Sequence, residues 1–462
     1  MKRFLVALSV VLLAGLAAGL WYYRDQTRPN KVVRGTSTQE FIPTQAPERK
    51  PERPRRVVRE VPWATYGYDV QRTHATADFK LRPPFRQKWM LRTGYYIEFP
   101  PAVAYGRVFI AQLRGRFFAV WKNSGKISWR KKFENACSAA SPTIARGVIY
   151  EPYVPAPCTR GSRDRKAYLV AMRVDGKILW RFPVASESST LYVDGTLYFG
   201  AWDHKLYALD VRGRRPRVRW TFEAGGELNS SPAYANGTIY IGGDDGRVYA
   251  VNARTGRLRW RADAYAHFGR REYFYATPTI AYGRVYIGNT DGTVYCFGAT
   301  SGRLLWTQRA GTYVYTAAAV WNRTVFVGSY DGKVYALDAG TGDVKWTYES
   351  PGSIHGAPTV LDGLVYFSTC GTCGRNGSRY AKRGPQTTFA LDTRTGKRVW
   401  SFPDGRYSPV VADLSRIYLV GNTRVYGLEP VKRHPAAARA SPNGRSAAPA
   451  RSPTRGARSP RR

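Results

Sequence analysis

The stretch "SSPAYANGTIYIGGDDGRVYAVNARTGRLRW", residues 230–260, reads as four short β-strands, "PAYA", "TIYIG", "RVYAVN" and "RLRW". The separators "NG", "DDG" and "TG" are hairpin chemistry, because Asn, Asp and Gly tolerate the positive φ that tight antiparallel turns require. The closing pair of strands is written again at "YCFGATSGRLLW" (295–306), "YALDAGTGDVKW" (335–346) and "FALDTRTGKRVW" (389–400). One such sheet has two apolar faces and cannot bury both alone, so repeated copies must stack on one another.

The spacing of the copies fixes the architecture. Trp89, Trp129, Trp180, Trp220, Trp260, Trp306, Trp346 and Trp400 follow one another at 40, 51, 40, 40, 46, 40 and 54 residues. A period near 40 with four strands per unit marks a propeller blade, and the tryptophans are expected to fill the gaps between neighbouring blades. Counted from Pro101, there are seven complete units and a short one, "SPVVADLSRIYLVGNTRVYGLEP" (408–430), with three strands and no tryptophan. The missing strand is expected in "FRQKWMLR" around Trp89, which would place Trp89 in the same blade as Tyr426 and leave no open sheet edge. The fold predicted is all-β: an eight-bladed propeller of four-stranded antiparallel blades, closed by its own two ends.

Around residues 63–430, the propeller, the chain changes character. Residues 1–23 begin with Lys2 and Arg3 and continue with an uncharged run from Phe4 to Tyr23, ending in Trp21, Tyr22 and Tyr23. Twenty such residues suffice for a membrane-crossing helix with an interfacial aromatic belt. They predict a single-pass signal anchor with the propeller on the extracytoplasmic side, or a secreted protein if the small residues Ala17 and Ala18 mark a cleavage site. Residues 24–62 are rich in Pro and charge and predict an extended spacer. Residues 431–462 have almost no large apolar side chains and predict a disordered basic tail.

The formal net charge is +40, of which the propeller stretch keeps +24. A field of that sign attracts anionic envelope polymers, lipid or nucleic acid. Nucleic acid ranks last, because the expected compartment offers little of it. Five cysteines suit an oxidising compartment. Cys137 with Cys158 and Cys370 with Cys373 are the disulfide candidates, leaving Cys296 alone inside a strand.

The "ALDAxTGxxxW" pair following an "SPxxxxGxxYxGxxDGxxY" pair resembles the pyrroloquinoline-quinone (PQQ) repeat family, and "WATYGYDVQRT" (63–73) is similar to the lead-in that family places before its first blade. The resemblance covers about 63–430 and implies the eight-bladed fold. Two functions accompany it: quinoprotein dehydrogenases hold PQQ and calcium on the ring axis, whereas the propeller lipoprotein of the outer-membrane β-barrel assembly machine is a cofactor-free scaffold. The dehydrogenases carry two adjacent cysteines against the quinone, and no Cys-Cys pair exists here. The nearest feature is "CGTC", Cys370–Cys373, in a Gly-rich insertion.

Aligning the blades on their first strands gives a column at the axial mouth: Glu98, Ala139, Glu187, Asn229, Tyr275, Tyr315, His355 and Arg406. Calcium wants several converging carboxylates or amides; only Glu187 and Asn229 fall on adjacent blades. No metal site is therefore predicted, and PQQ with calcium belongs only to the dehydrogenase alternative. The "DG" pairs at 245, 291 and 331 recur at one turn and are read as turns rather than ligands. The loop "ADAYAHFGRREYFYATP" (262–278) concentrates Tyr265, His267, Arg270, Arg271, Tyr273 and Tyr275, a composition suited to protein interfaces. Together with insertions at 153–166 and 368–387 and the axial column, it forms the expected working face. The reading is a monomeric, membrane-anchored, non-catalytic scaffold that binds protein or anionic envelope polymer; the alternative is a PQQ-dependent dehydrogenase of alcohols or sugars.

Overall fold

The structure is a computed structural model and describes residues 2–27, 32–42, 60–156, 167–267, 269–371, 373, 382–407 and 410–431. Strand alternation and glycine turns produce eight blades of four antiparallel strands, two of which gain a short fifth strand: Ala75–Thr76 pairs parallel with blade seven, and Ala136–Cys137 pairs antiparallel in blade two. Blade four, the stretch quoted above, comprises Ala233–Ala235, Thr238–Gly242, Arg247–Asn252 and Leu258–Asp263. Its middle strands are buried on both sides, while the outermost alternates between exposed and half-buried.

Closure follows the sequence reading. Phe85–Arg92 pairs antiparallel with Arg424–Pro430, so the last blade takes its outer strand from the start of the domain, and Met90 stands opposite Tyr426 beside Trp89. Val103, Val108 and Ile110 of blade one share a core with Val410, Ile417 and Leu419 of blade eight.

The tryptophans join blades. Indole N–H groups of Trp89, Trp129, Trp220, Trp260, Trp306 and Trp346 donate to carbonyls of Lys122, Val174, Ala253, Ala299, Ala339 and Thr393 in the following blade at 2.8–3.2 Å. Each lies flat on the hairpin glycine of that blade; at Gly256, with φ +74°, a Cβ would strike the Trp220 ring. Trp400 differs for a topological reason: blade eight joins its last two strands from opposite ends of the chain, so no hairpin faces it. It packs on Phe85 instead. The "DG" aspartates are turn residues: Asp291 and Asp331 cap their own hairpins and accept hydrogen bonds from Tyr295 and Tyr335.

One segment before blade one behaves differently from the sequence expectation. Residues 32–42, read as spacer, lie along blades five and six. Val33 exchanges hydrogen bonds with Thr307. Arg284 is fully buried and donates to the carbonyls of Thr36, Gln39 and Glu40 as well as Ala339 and Gly340. Phe41 packs on Tyr282 in the blade five core. The strap also explains why Trp306 is fully buried while most of its counterparts are half-exposed.

The lead-in threads one mouth of the ring. Carbonyls of Ala64, Val70, Gln71, Thr73 and His74 accept hydrogen bonds from Ile144, Tyr234, Ile280, Val320 and Val360, one from each of blades two, four, five, six and seven. Trp63 bridges Val103 of blade one, and Arg72 reaches blade three through the Thr190 carbonyl at 3.0 Å. A single peptide thus fastens seven blades, satisfying backbone groups that the channel would otherwise bury unpaired.

The N-terminal helix spans Lys2–Thr27, with side chains described from Ser9 to Tyr22. Among the described residues, no helix is long and apolar enough to cross a membrane. The membrane-crossing helix expected from the sequence is therefore not supported by the fold. Val431 onward is a separate unit, and the tail expected to be disordered lies, beyond Val431, outside the described residues.

Candidate functional site

At the mouth opposite the lead-in, the loops entering each blade bring part of the expected column together. Glu98, Asn229, Tyr275, Tyr315 and His355 line one recess, floored by Tyr66 of the lead-in and Phe99. Tyr275 and Tyr315 stack with ring centroids 4.3 Å apart, and His355 continues the stack 4.6 Å from Tyr315. Glu98 Oε1 lies 3.6 Å from His355 Nε2. Tyr275 donates its hydroxyl proton to Glu187 Oε2 at 3.0 Å. Burial, with these carboxylates nearby, pushes the Tyr275 and Tyr315 hydroxyls well above the usual tyrosine range, so both remain neutral donors.

The remaining column residues are engaged elsewhere. Asn229 accepts from Trp202 Nε1 at 2.9 Å and donates to Asp244 at 3.0 Å, so Glu187 and Asn229 do not converge as a cation pair. Arg406 lies over Tyr96 at 4.0 Å and Tyr407 at 4.8 Å, and donates to Asn422. Among the described residues, no group of three or more His, Cys, Asp or Glu side chains is placed to hold a metal ion.

The aromatic loop before blade five divides its residues. Ala266–His267 and Arg270–Arg271 form a small hairpin. Tyr273 and Arg270 are exposed, while Arg271 pairs with Asp263 at 3.0 Å. Tyr265 packs on Tyr295, and Tyr275 alone reaches the axis. The His267 side chain, Cys158 with residues 157–166 of the first insertion, and residues 372 and 374–381 of the second lie outside the described residues.

Cys370 and Cys373 form a disulfide, and Cys137 is also disulfide-bonded. Cys296 is a free, buried thiol. The Cys370–Cys373 bridge packs against Tyr330, beside Tyr313, Tyr315 and Tyr407. Tyr330 bonds His355 Nδ1, and Tyr407 sets its ring edge-on to His355 at 4.9 Å. Tyr330, Tyr407 and Tyr66 were not singled out from the sequence, because they fall outside the aligned column and only the ring's closure brings them to it.

An eight-bladed ring with repeated aspartate turns, tryptophan staples and a threaded lead-in defines a PQQ-like repeat propeller. The family described as outer membrane protein assembly factor BamB matches residues 86–216, 214–317 and 290–432, and the chain belongs to that family. BamB from Moraxella catarrhalis has a similar fold, with a TM-score of 0.59 and 16% identity over 75% of this chain and 100% of that one. The quinohemoprotein alcohol dehydrogenase of Comamonas testosteroni gives a TM-score of 0.60 at 12% identity, covering 81% of each chain. The computationally designed Ika8 protein gives 0.58 at 13% identity, covering 75% of this chain and all of its own. No curated protein sequence matches.

Proposed function

We propose that this chain is a non-catalytic docking scaffold whose working face is the axial mouth with its flanking loops, binding protein or anionic envelope polymer. One observation carries the reading: Tyr275, Tyr315 and His355, from three successive blades, stack on one another across the mouth, over the lead-in that closes the other end. A bound quinone would need a flat slot and a calcium set. The recess offers one carboxylate, Glu98, and an amide, Asn229, that is already committed at both ends. The Cys370–Cys373 bridge, though near the mouth, packs on Tyr330. These residues do not fit PQQ with calcium, and no redox step is derived. The name of the matching family, an assembly factor, agrees with a scaffold role.

The dehydrogenase reading rests on the fold likeness alone. Incubation of the full chain with PQQ and calcium, followed by desalting, separates the two. A scaffold retains no quinone absorbance and reduces no dye with alcohols; retained absorbance with alcohol-dependent dye reduction overturns the proposal.

The location that fits this role is the outer side of a cell membrane, held by residues 1–23, with release into the medium if that segment is cut. The uncharged run from Phe4 to Tyr23 and the disulfides support it.

A further inference from the structure

Between blades four and five, where the end of the strap approaches the lead-in, lies a cavity of about 110 Å³ open to solvent. Ile42 of the strap, Ile280 and Ala299 give it an apolar wall; Gln71 of the lead-in, Asn236 and Arg259 give it polar groups. Among the described residues, no Asp or Glu lines it. Gln71 is only 8% exposed, yet its side-chain amide has no hydrogen-bond partner among the described residues. Buried amides are ordinarily paired, so this one is left for a group that enters the cavity.

The repeat supplies an internal control. In blades three, four and six the residue before the tryptophan is a cation that bulges from the outer strand: Arg219, Arg259 and Lys345. Arg219 donates to Thr196 Oγ1 at 2.8 Å, and its charge stabilises the Asp210 carboxylate. Lys345 donates to Thr324 Oγ1 at 3.0 Å and pairs with Asp338 at 3.0 Å. Blade four places Thr238 where those threonines stand, but Asn252 takes the place of the aspartate. Asn252 Oδ1 still caps its turn, accepting from the N–H groups of Arg254 and Thr255 at 3.0 Å, and brings no charge. Arg259 accordingly makes no hydrogen bond or ion pair among the described residues. Its guanidinium lies against the Asn236–Gly237 hairpin, where a Cβ added at Gly237 would be 3.8 Å from Nη2.

We infer that this cavity binds a short carboxylate, its charged group received by Arg259 with the Asn236 and Gln71 amides as further donors, and its apolar body against Ile42, Ile280 and Ala299. A guanidinium forks onto a carboxylate, and the guest supplies the charge that Asp210 and Asp338 supply in blades three and six. An apolar cavity of roughly 150 Å³ holds a benzene ring; the smaller space here suits a body of about three to five heavy atoms. A free short-chain acid and an Asp or Glu side chain of a partner protein offer the same chemistry. The site shares no residue with the axial recess and does not depend on the scaffold reading.

The test uses the full chain in saturation-transfer NMR titrations with butyrate, its neutral counterpart butyramide, and the peptide acetyl-Gly-Glu-Gly-amide. Butyrate should saturate, and butyramide, which keeps the shape and loses the charge, should bind at least about tenfold more weakly. Arg259→Gln should weaken butyrate binding about tenfold. Asn252→Asp, which hands Arg259 the aspartate of blades three and six, should weaken it to a similar degree, whereas Arg219→Gln should leave it unchanged; thermal unfolding midpoints show that the variants fold. Displacement of butyrate by the peptide at equal or lower concentration assigns the carboxylate to a partner's side chain, and weaker displacement or none assigns it to a free acid; both support the site. Equal binding of butyrate and butyramide, no saturation, or butyrate binding that survives both Arg259→Gln and Asn252→Asp overturns the inference.

Discussion

Glu40 of the strap places its carboxylate where a side chain on Gly298 would have to be; a Cβ added at Gly298 would overlap Glu40 Oε2. Gly298 pairs with Arg284, and in blade one the corresponding pair is Arg107 with Trp121. There the arginine lies over its own tryptophan at 4.3 Å instead of holding a strap. Blades one and five both read "AYGRV" at this hairpin, so the residue opposite the arginine decides which of the two is a seat.

Gly298→Trp should therefore eject the strap without unfolding the ring, since blade one tolerates Trp at that place. Hydrogen exchange should rise at residues 33–42 and 304–309 and remain unchanged in blades one and two. Unaltered protection of Val33 and Thr307 would show that the strap is held elsewhere.

Arg72 donates to Thr65, the Tyr66 carbonyl, Pro232, Ser189 and Thr190 from a fully buried position. Burial lowers its pKa to about 10, which leaves it charged at neutral pH. Arg72→Met removes the donor from several buried acceptors and should destabilise the propeller by about 3 kcal/mol. Urea unfolding monitored by tryptophan fluorescence measures it.

His74 is buried beside Arg72, and both effects lower its pKa to about 3. The folded state therefore refuses a proton that the unfolded chain accepts below about pH 6.5. Stability from this residue is intact above that pH and is lost as pH falls toward 3, by up to about 1.4 kcal/mol per pH unit. His74→Gln should flatten the stability profile between pH 6 and 4; an unchanged slope would show that other groups set it.

Glu151 presents the opposite sign. It is fully buried in blade two at the register position that holds Ile110, Phe199, Ile241, Ile287, Val327 and Phe367 in the other complete blades. Burial raises its pKa well above the carboxylate range despite the hydrogen bond from Ser138. Holding the proton costs increasingly more as pH rises above the unfolded value near 4.5. Glu151→Gln should be more stable than the parent at pH 8 and indistinguishable at pH 4, as thermal unfolding at both would register.

The blade count, the strand order and the pairing of Phe85–Arg92 with the last blade were legible in the chain, because hairpin turns and a tryptophan every 40 or so residues are local signals that repeat eight times. Part of the mouth was legible for the same reason: Glu98, Asn229, Tyr275, Tyr315 and His355 occupy one register position in five blades. The Cys370–Cys373 bridge was legible as a disulfide candidate, but Tyr330 and Tyr407 were not, since their approach to His355 depends on how neighbouring loops turn inward.

The sequence alone determined the repeating sheets and their closure, since alternation, turn chemistry and blade-to-blade staples act over a few residues or recur in register. Only the tertiary structure decided what the non-repeating segments do. Residues 32–42 and 63–76 have no period of their own; they are ordered by carbonyls and cavities that exist once blades from distant parts of the chain stand side by side. For the same reason Arg284 and Arg72, ordinary surface cations by composition, become the two buried hubs that hold those segments in place.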